Sequence, residues 1–118
     1  MLHHVIHGAG KPLLILHGVT LDHRYMAEAV EPAFDGQDGW KRIYVDMPGH
    51  GRSPAMDRIR SMDDTLAVMM EFADDVIGEE RFGVIGYSRG SYIARGITHL
   101  RPEQVAGAAL ITPGGSSS

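Results

Sequence analysis

The chain has 118 residues, 43% of them apolar and 22% charged, with a net charge of −4 at pH 7. That suffices for one domain with a real core but not two, and without a basic stripe nucleic acid is not an expected partner. Cysteine is absent, which excludes disulfides and thiol chemistry; no apolar run approaches the ~20 residues of a membrane span, and the first residues lack a secretory pattern, so the expected setting is cytoplasmic, away from membranes.

In chain order, Leu2–Gly8 alternates weakly and is expected to be a short edge strand, and Gly8–Pro12 reads as a turn. Leu13–Gly18 is a continuous apolar run ending in glycine, the pattern of a strand covered on both faces. Leu21–Phe34 reads as a helix capped by Asp22, with Tyr25, Met26, Ala29 and Val30 at helical spacing. A second core strand ends near Asp46 and gives way to a glycine-rich loop. Ser61–Gly78 is the clearest helix: Met62, Leu66, Met69, Met70, Ala73, Val76 and Ile77 form one stripe, Ser61 with Asp64 resembles a capping box, and Gly78 supplies the stop. A third core strand from Phe82, a helix from Arg89 to Leu100 and a strand over Val105–Ile111 follow. Strand and helix alternate three times before a last strand, which argues for an α/β fold: a mostly parallel sheet with helices on both faces, in three αβα layers. Residues 1–113 are expected to form this unit, with 114–118 as a flexible tail.

Ligands of such sheets bind at the carboxyl ends of the strands. Three polar, glycine-flanked loops belong there, around His17-Gly18, Asp46–Ser53 and Gly86–Gly90. The last fits G-x-S-x-G between a strand and a helix, the context that makes Ser88 a candidate nucleophile. A turn sharp enough to lift its hydroxyl clear of the sheet leaves no room for side chains two residues away, hence Gly86 and Gly90. The free N–H groups of the helix that follows favour negative charge beside that hydroxyl. The backbone N–H groups of Val19 and Arg89 are the candidate oxyanion donors. His17 reads as a side chain that pins its loop, not as a general base, and the Arg89 side chain is expected in solvent.

Other patterns carry less. His3 and His4 point to opposite faces of a strand, and His3 and His7 are not nearest neighbours, so no metal site is expected from them. The methionines of the long helix are spaced for core packing. Gly8–Pro12 precedes a strand and lacks the serine or threonine of a phosphate loop. No cofactor is expected.

The motifs "PLLILHG", "YVDMPGHGRS" and "GVIGYSRG" together resemble the N-terminal half of the α/β-hydrolase fold, and the resemblance covers nearly the whole chain. It implies a serine hydrolase acting on a small ester-like or related carbonyl substrate through an acyl-enzyme on Ser88, with Val19 and Arg89 at the oxyanion and with Asp46 and His50 structural. The triad order of that fold is serine, acid, histidine. After Ser88 this sequence holds one histidine, His99, and one acid, Glu103. Eleven residues of helix carry His99 about 16 Å from Ser88, beyond a general base's reach. The chain is therefore expected to be a fragment, inactive alone, whose triad partners lie in a missing C-terminal half. The alternative is a truncated binding or assembly module without turnover. The last strand, apolar on both faces, is expected to pair with that half or with a second copy.

Overall fold

The computed structural model of the chain describes residues 1–18 and 21–111. Its elements are β1 (His4–His7), β2 (Gly10–Leu16), α1 (His23–Val30), a 3₁₀ turn (Glu31–Phe34), β3 (Gly39–Val45), α2 (Met62–Val76), β4 (Phe82–Tyr87), α3 (Arg89–Leu100) and β5 (Val105–Ile111). The strands form one sheet in the order β1-β3-β2-β4-β5. β1 runs antiparallel to β3, and every other pairing is parallel. Residue 114 onward, the expected tail, lies outside the described residues, as does Val19.

Alternation along the strands sorts the core into two clusters. Leu14, Leu16, Ile43, Val45 and Val84 face α2 and α3, meeting Met69, Phe72, Ile93 and Ile97. Leu13, Ile15 and Tyr44 face the other way, onto Met26 of α1. Helices therefore cover both faces, and the three expected layers are present. Coverage on the α1 side is partial. An open depression there is lined by Leu13, Trp40, Phe82, Ile85 and Ala109; it lies toward the amino ends of β2 and β4, away from Ser88.

Four expectations change in detail. Gly10–Pro12 is strand, not turn, because Gly10, Lys11 and Pro12 pair with Gly39, Trp40 and Lys41 of β3. Pro12 is tolerated there because β4 begins to pair with β2 only at Leu13, so that stretch has a neighbour on one side only. The same strand ends at Leu16, which leaves His17 and Gly18 in the loop. The helix expected to reach Phe34 ends at Val30 and tightens into the 3₁₀ turn, since Pro32 has no N–H to continue the α-helical ladder. Its inward side is Met26, Ala27 and Val30, whereas Tyr25 and Ala29 are exposed.

The helix ends follow the sequence closely. Asp22 accepts hydrogen bonds from the Arg24 and Tyr25 amides (3.0 and 3.4 Å). Ser61 Oγ accepts from Asp64 N–H (3.2 Å), while the Asp64 carboxylate accepts from Arg60 N–H (2.8 Å), one residue earlier than a capping box requires. Gly78, at φ 77, ends α2 by donating to the Ala73 carbonyl (3.1 Å). The predicted stripe of α2 packs on the core as expected, joined by Val68 and Phe72.

Candidate active site

The chain leaves β2 for β3 on one side and returns to β4 on the other. The loops at the carboxyl ends of β2 and β4 therefore diverge, the topology that in such sheets makes a ligand crevice at the switch point. Gly18 lies at one lip and Ser88 at the other. They are so close that a Cβ on Gly18 would sit 3.1 Å from the Ser88 Cβ.

Ser88 is the only non-glycine among the described residues with positive φ (φ 57, ψ −117). Such a conformation costs on the order of 1–3 kcal/mol and persists only where its surroundings dictate it. Here they do. Ser88 N–H donates to the Ile111 carbonyl of β5 (2.8 Å), and the Ser88 carbonyl accepts from the Ser91 amide (2.9 Å) and the Ser91 hydroxyl (2.6 Å). The flanking glycines supply the space: a Cβ on Gly86 would lie 2.3 Å from the Gly90 carbonyl oxygen, and one on Gly90 would lie 2.4 Å from that of Leu16. The Ser88 side chain caps none of the α3 amides, so its hydroxyl is not consumed by the helix it precedes. Arg89 opens α3, where the first amides have no intrahelical acceptor, and its side chain is exposed. Val19, the other oxyanion candidate, falls outside the described residues.

Behind the crevice His17 is wholly buried. Met47 N–H donates to its Nε2 (2.9 Å), which places the ring proton on Nδ1, the atom that donates to the Gly18 carbonyl (2.8 Å). Burial pushes the imidazole below its ordinary pKa, against the opposing pull of the Gly18 hydrogen bond. His17 is thus a neutral strut joining the loops after β2 and β3. The His50 ring lies 4.9 Å from it, and its Nδ1 donates to the Pro48 carbonyl (3.1 Å).

Asp46, also wholly buried, is the hub of the loop after β3. Oδ1 accepts from the His23 amide and from His23 Nδ1 (both 2.8 Å). Oδ2 accepts from the Arg52 amide (3.0 Å) and from His3 Nδ1 (2.9 Å). Its backbone is held too, since Ser53 Oγ donates to the Asp46 carbonyl (2.6 Å) and the His3 amide donates to Ser53 Oγ (2.9 Å). Burial alone would raise the carboxyl pKa, but the His23 and Arg52 amides and the His23 ring outweigh it and hold Asp46 at about 2.

Sequence reasoning found Asp46 and missed its imidazole partners. His3, His23 and Asp46 offer ligand atoms that all lie within 4.8 Å of one another. They come from three segments, and only the pairing of β1 with β3 brings the first to the last. Tyr25 and Tyr87 were also unforeseen as a pair; their rings lie 5.8 Å apart, next to Ser88 in sequence on one side. His99 stands exposed in the last turn of α3, and Glu103 is exposed before β5.

A family model described as alpha/beta hydrolase fold matches residues 11–118. The chain is 32% identical over 113 residues to the (E)-2-((N-methylformamido)methylene)succinate hydrolase of Acinetobacter baylyi, covering 92% of this chain and 40% of that protein. An alpha/beta superfamily hydrolase from Oenococcus oeni superposes with a TM-score of 0.85 at 32% identity, over 91% of this chain and 39% of the other. An esterase of a marine microorganism does so at 0.79 and 28%, over 99% and 44%. The chain thus spans about 40% of the length of these relatives. Among the described residues no helix is long and apolar enough to cross a membrane.

Proposed function

The chain belongs to the alpha/beta hydrolase fold family, and from that premise we propose that it is the nucleophile-bearing part of a serine hydrolase for small ester-like or related carbonyl substrates. The observation that carries this reading is the backbone of Ser88. A conformation that strains a serine, wedged between two glycines with no room for a Cβ, has no packing purpose. It does serve to lift a hydroxyl to the start of a helix.

In this reading Ser88 Oγ bonds to the substrate carbonyl carbon and gives up its proton to a histidine. The carbonyl oxygen, now negative, accepts hydrogen bonds from the amides of Arg89 and Val19. The tetrahedral intermediate collapses by expelling the leaving group, which takes that proton, and leaves an acyl group on Ser88. Water then adds to the acyl carbon, giving up a proton through the same histidine, and the acid product departs as Ser88 recovers its hydrogen. The histidine and its supporting acid come from outside these 118 residues, so the chain works joined to that further portion. A hydrolase of a substituted succinate and an esterase among its relatives support the carbonyl class. The steps require neither metal nor cofactor.

The test is covalent labelling of the chain joined to the rest of its gene product. A fluorophosphonate probe should mark Ser88, and Ser88→Ala should abolish both the label and the hydrolysis of p-nitrophenyl acetate. A folded, joined protein that takes no label would replace this reading with that of a binding or assembly module.

A further inference from the structure

We propose that His3, His23 and Asp46 form a binding site for one divalent transition-metal ion of the zinc or cobalt kind. The three side chains converge from before β1, from the first turn of α1 and from the residue after β3. The imidazole Nδ1 atoms stand 2.9 and 2.8 Å from the two oxygens of one carboxylate. Neighbouring ligands of a tetrahedral ion, each about 2.1 Å from it, are about 3.4 Å apart, so these two contacts open by about half an ångström on loading. All three ligand atoms lie within 4.8 Å of one another, so side-chain shifts without backbone movement gather them around one ion.

Three further features suit an ion. Asp46 is fully buried and carries a charge that its two backbone donors, the amides of His23 and Arg52, hold in a fixed orientation; such outer contacts are what aim a ligating carboxylate. The imidazole side chains are 29% and 13% exposed, so the cluster is reached from solvent past His3. Two imidazole nitrogens with one carboxylate select borderline ions over magnesium or calcium, which prefer oxygen. Loading balances without an added base. A ring that carries one proton moves it from Nδ1 to Nε2, the bare Nδ1 takes the ion in place of a hydrogen bond, and the carboxylate exchanges two N–H donors for one cation. The ion would fasten the amino-terminal segment and α1 to the loop after β3, which His17 ties to the crevice through Met47.

The probes are zinc and cobalt ions alone, added to the metal-free chain joined to its further portion. Calorimetry should show one zinc per chain and a raised unfolding temperature, while magnesium should do neither. Cobalt should give visible absorption bands of a nitrogen- and oxygen-ligated ion. His3→Gln and His23→Gln should each weaken zinc binding by at least about tenfold, since losing even an outer partner of a metal ligand costs that much. His4→Gln and His99→Gln should leave it unchanged. His3→Gln decides the matter should His23→Gln fail to fold. Absence of zinc binding by folded protein overturns the proposal, as does binding that survives His3→Gln undiminished. Either result is independent of whether Ser88 reacts.

Discussion

The loops at the carboxyl ends of β2, β3 and β4 and the flank formed by β5 use the same small residues to opposite ends. Around Ser88, glycines are jammed against backbone, and among the described residues no buried side-chain polar atom lacks a partner. Along β5, six of seven residues are exposed, and a Cβ on Gly107 would touch nothing within 4 Å. The first region is closely packed within this chain. Among the described residues the second has one neighbouring strand and offers the other edge, as well as apolar Leu110 and Ile111, to whatever adjoins it. Smallness in a sequence thus has two meanings, close approach or an unclaimed surface, and only the neighbours distinguish them.

The sharpest way to break this contrast is one substitution made in both places. Gly90→Ala drives a methyl into the Leu16 carbonyl and should cost about 3 kcal/mol or more by urea unfolding, with Gly86→Ala similar. Indifference at both positions would mean that the elbow is not packed as described.

Acid should act next, and on the loop region. Asp46 titrates at about 2 in the fold and near 3.8 when unfolded, so its contribution is complete above about pH 4 and disappears as pH falls toward 2. Stability should drop by roughly 2 kcal/mol over that window from this group. Glu31, held at about 2 chiefly by Arg42 against the opposing effect of its own burial, acts in the same direction. Asp46→Asn should start lower at neutral pH and lose less on acidification, as read from urea midpoints at pH 5 and pH 2.5.

The β5 flank should respond in association rather than in stability. The isolated chain is expected to self-associate or to fold only in part, with light-scattering mass above that of a monomer, and Leu110→Lys should lower that mass. A cooperative monomer would remove the contrast altogether. The smallest effect belongs to Gly107→Ala, expected to shift stability by no more than about 0.5 kcal/mol.

Much of this was legible in the sequence, because strands covered on both faces read as apolar runs and because G-x-S-x-G between strand and helix has few other uses. Gly86 and Gly90 mark the elbow in the sequence itself, since each sits where a Cβ would meet backbone. What stayed hidden depended on pairing across the chain. Gly10–Pro12 carries turn residues yet extends β2, since β3 supplies its partner. His3 and His23 sit 43 and 23 positions from Asp46 and have no local pattern that would join them to it. Tyr25 holds a helical spacing that suits the core but is 44% exposed, its ring 5.8 Å from that of Tyr87.

The Ser88 amide reaches past its own strand to the final carbonyl of β5. The strained turn at Ser88 therefore takes part of its support from the most exposed strand among the described residues. Whatever adjoins that flank therefore bears on a strand end that holds the Ser88 turn in place.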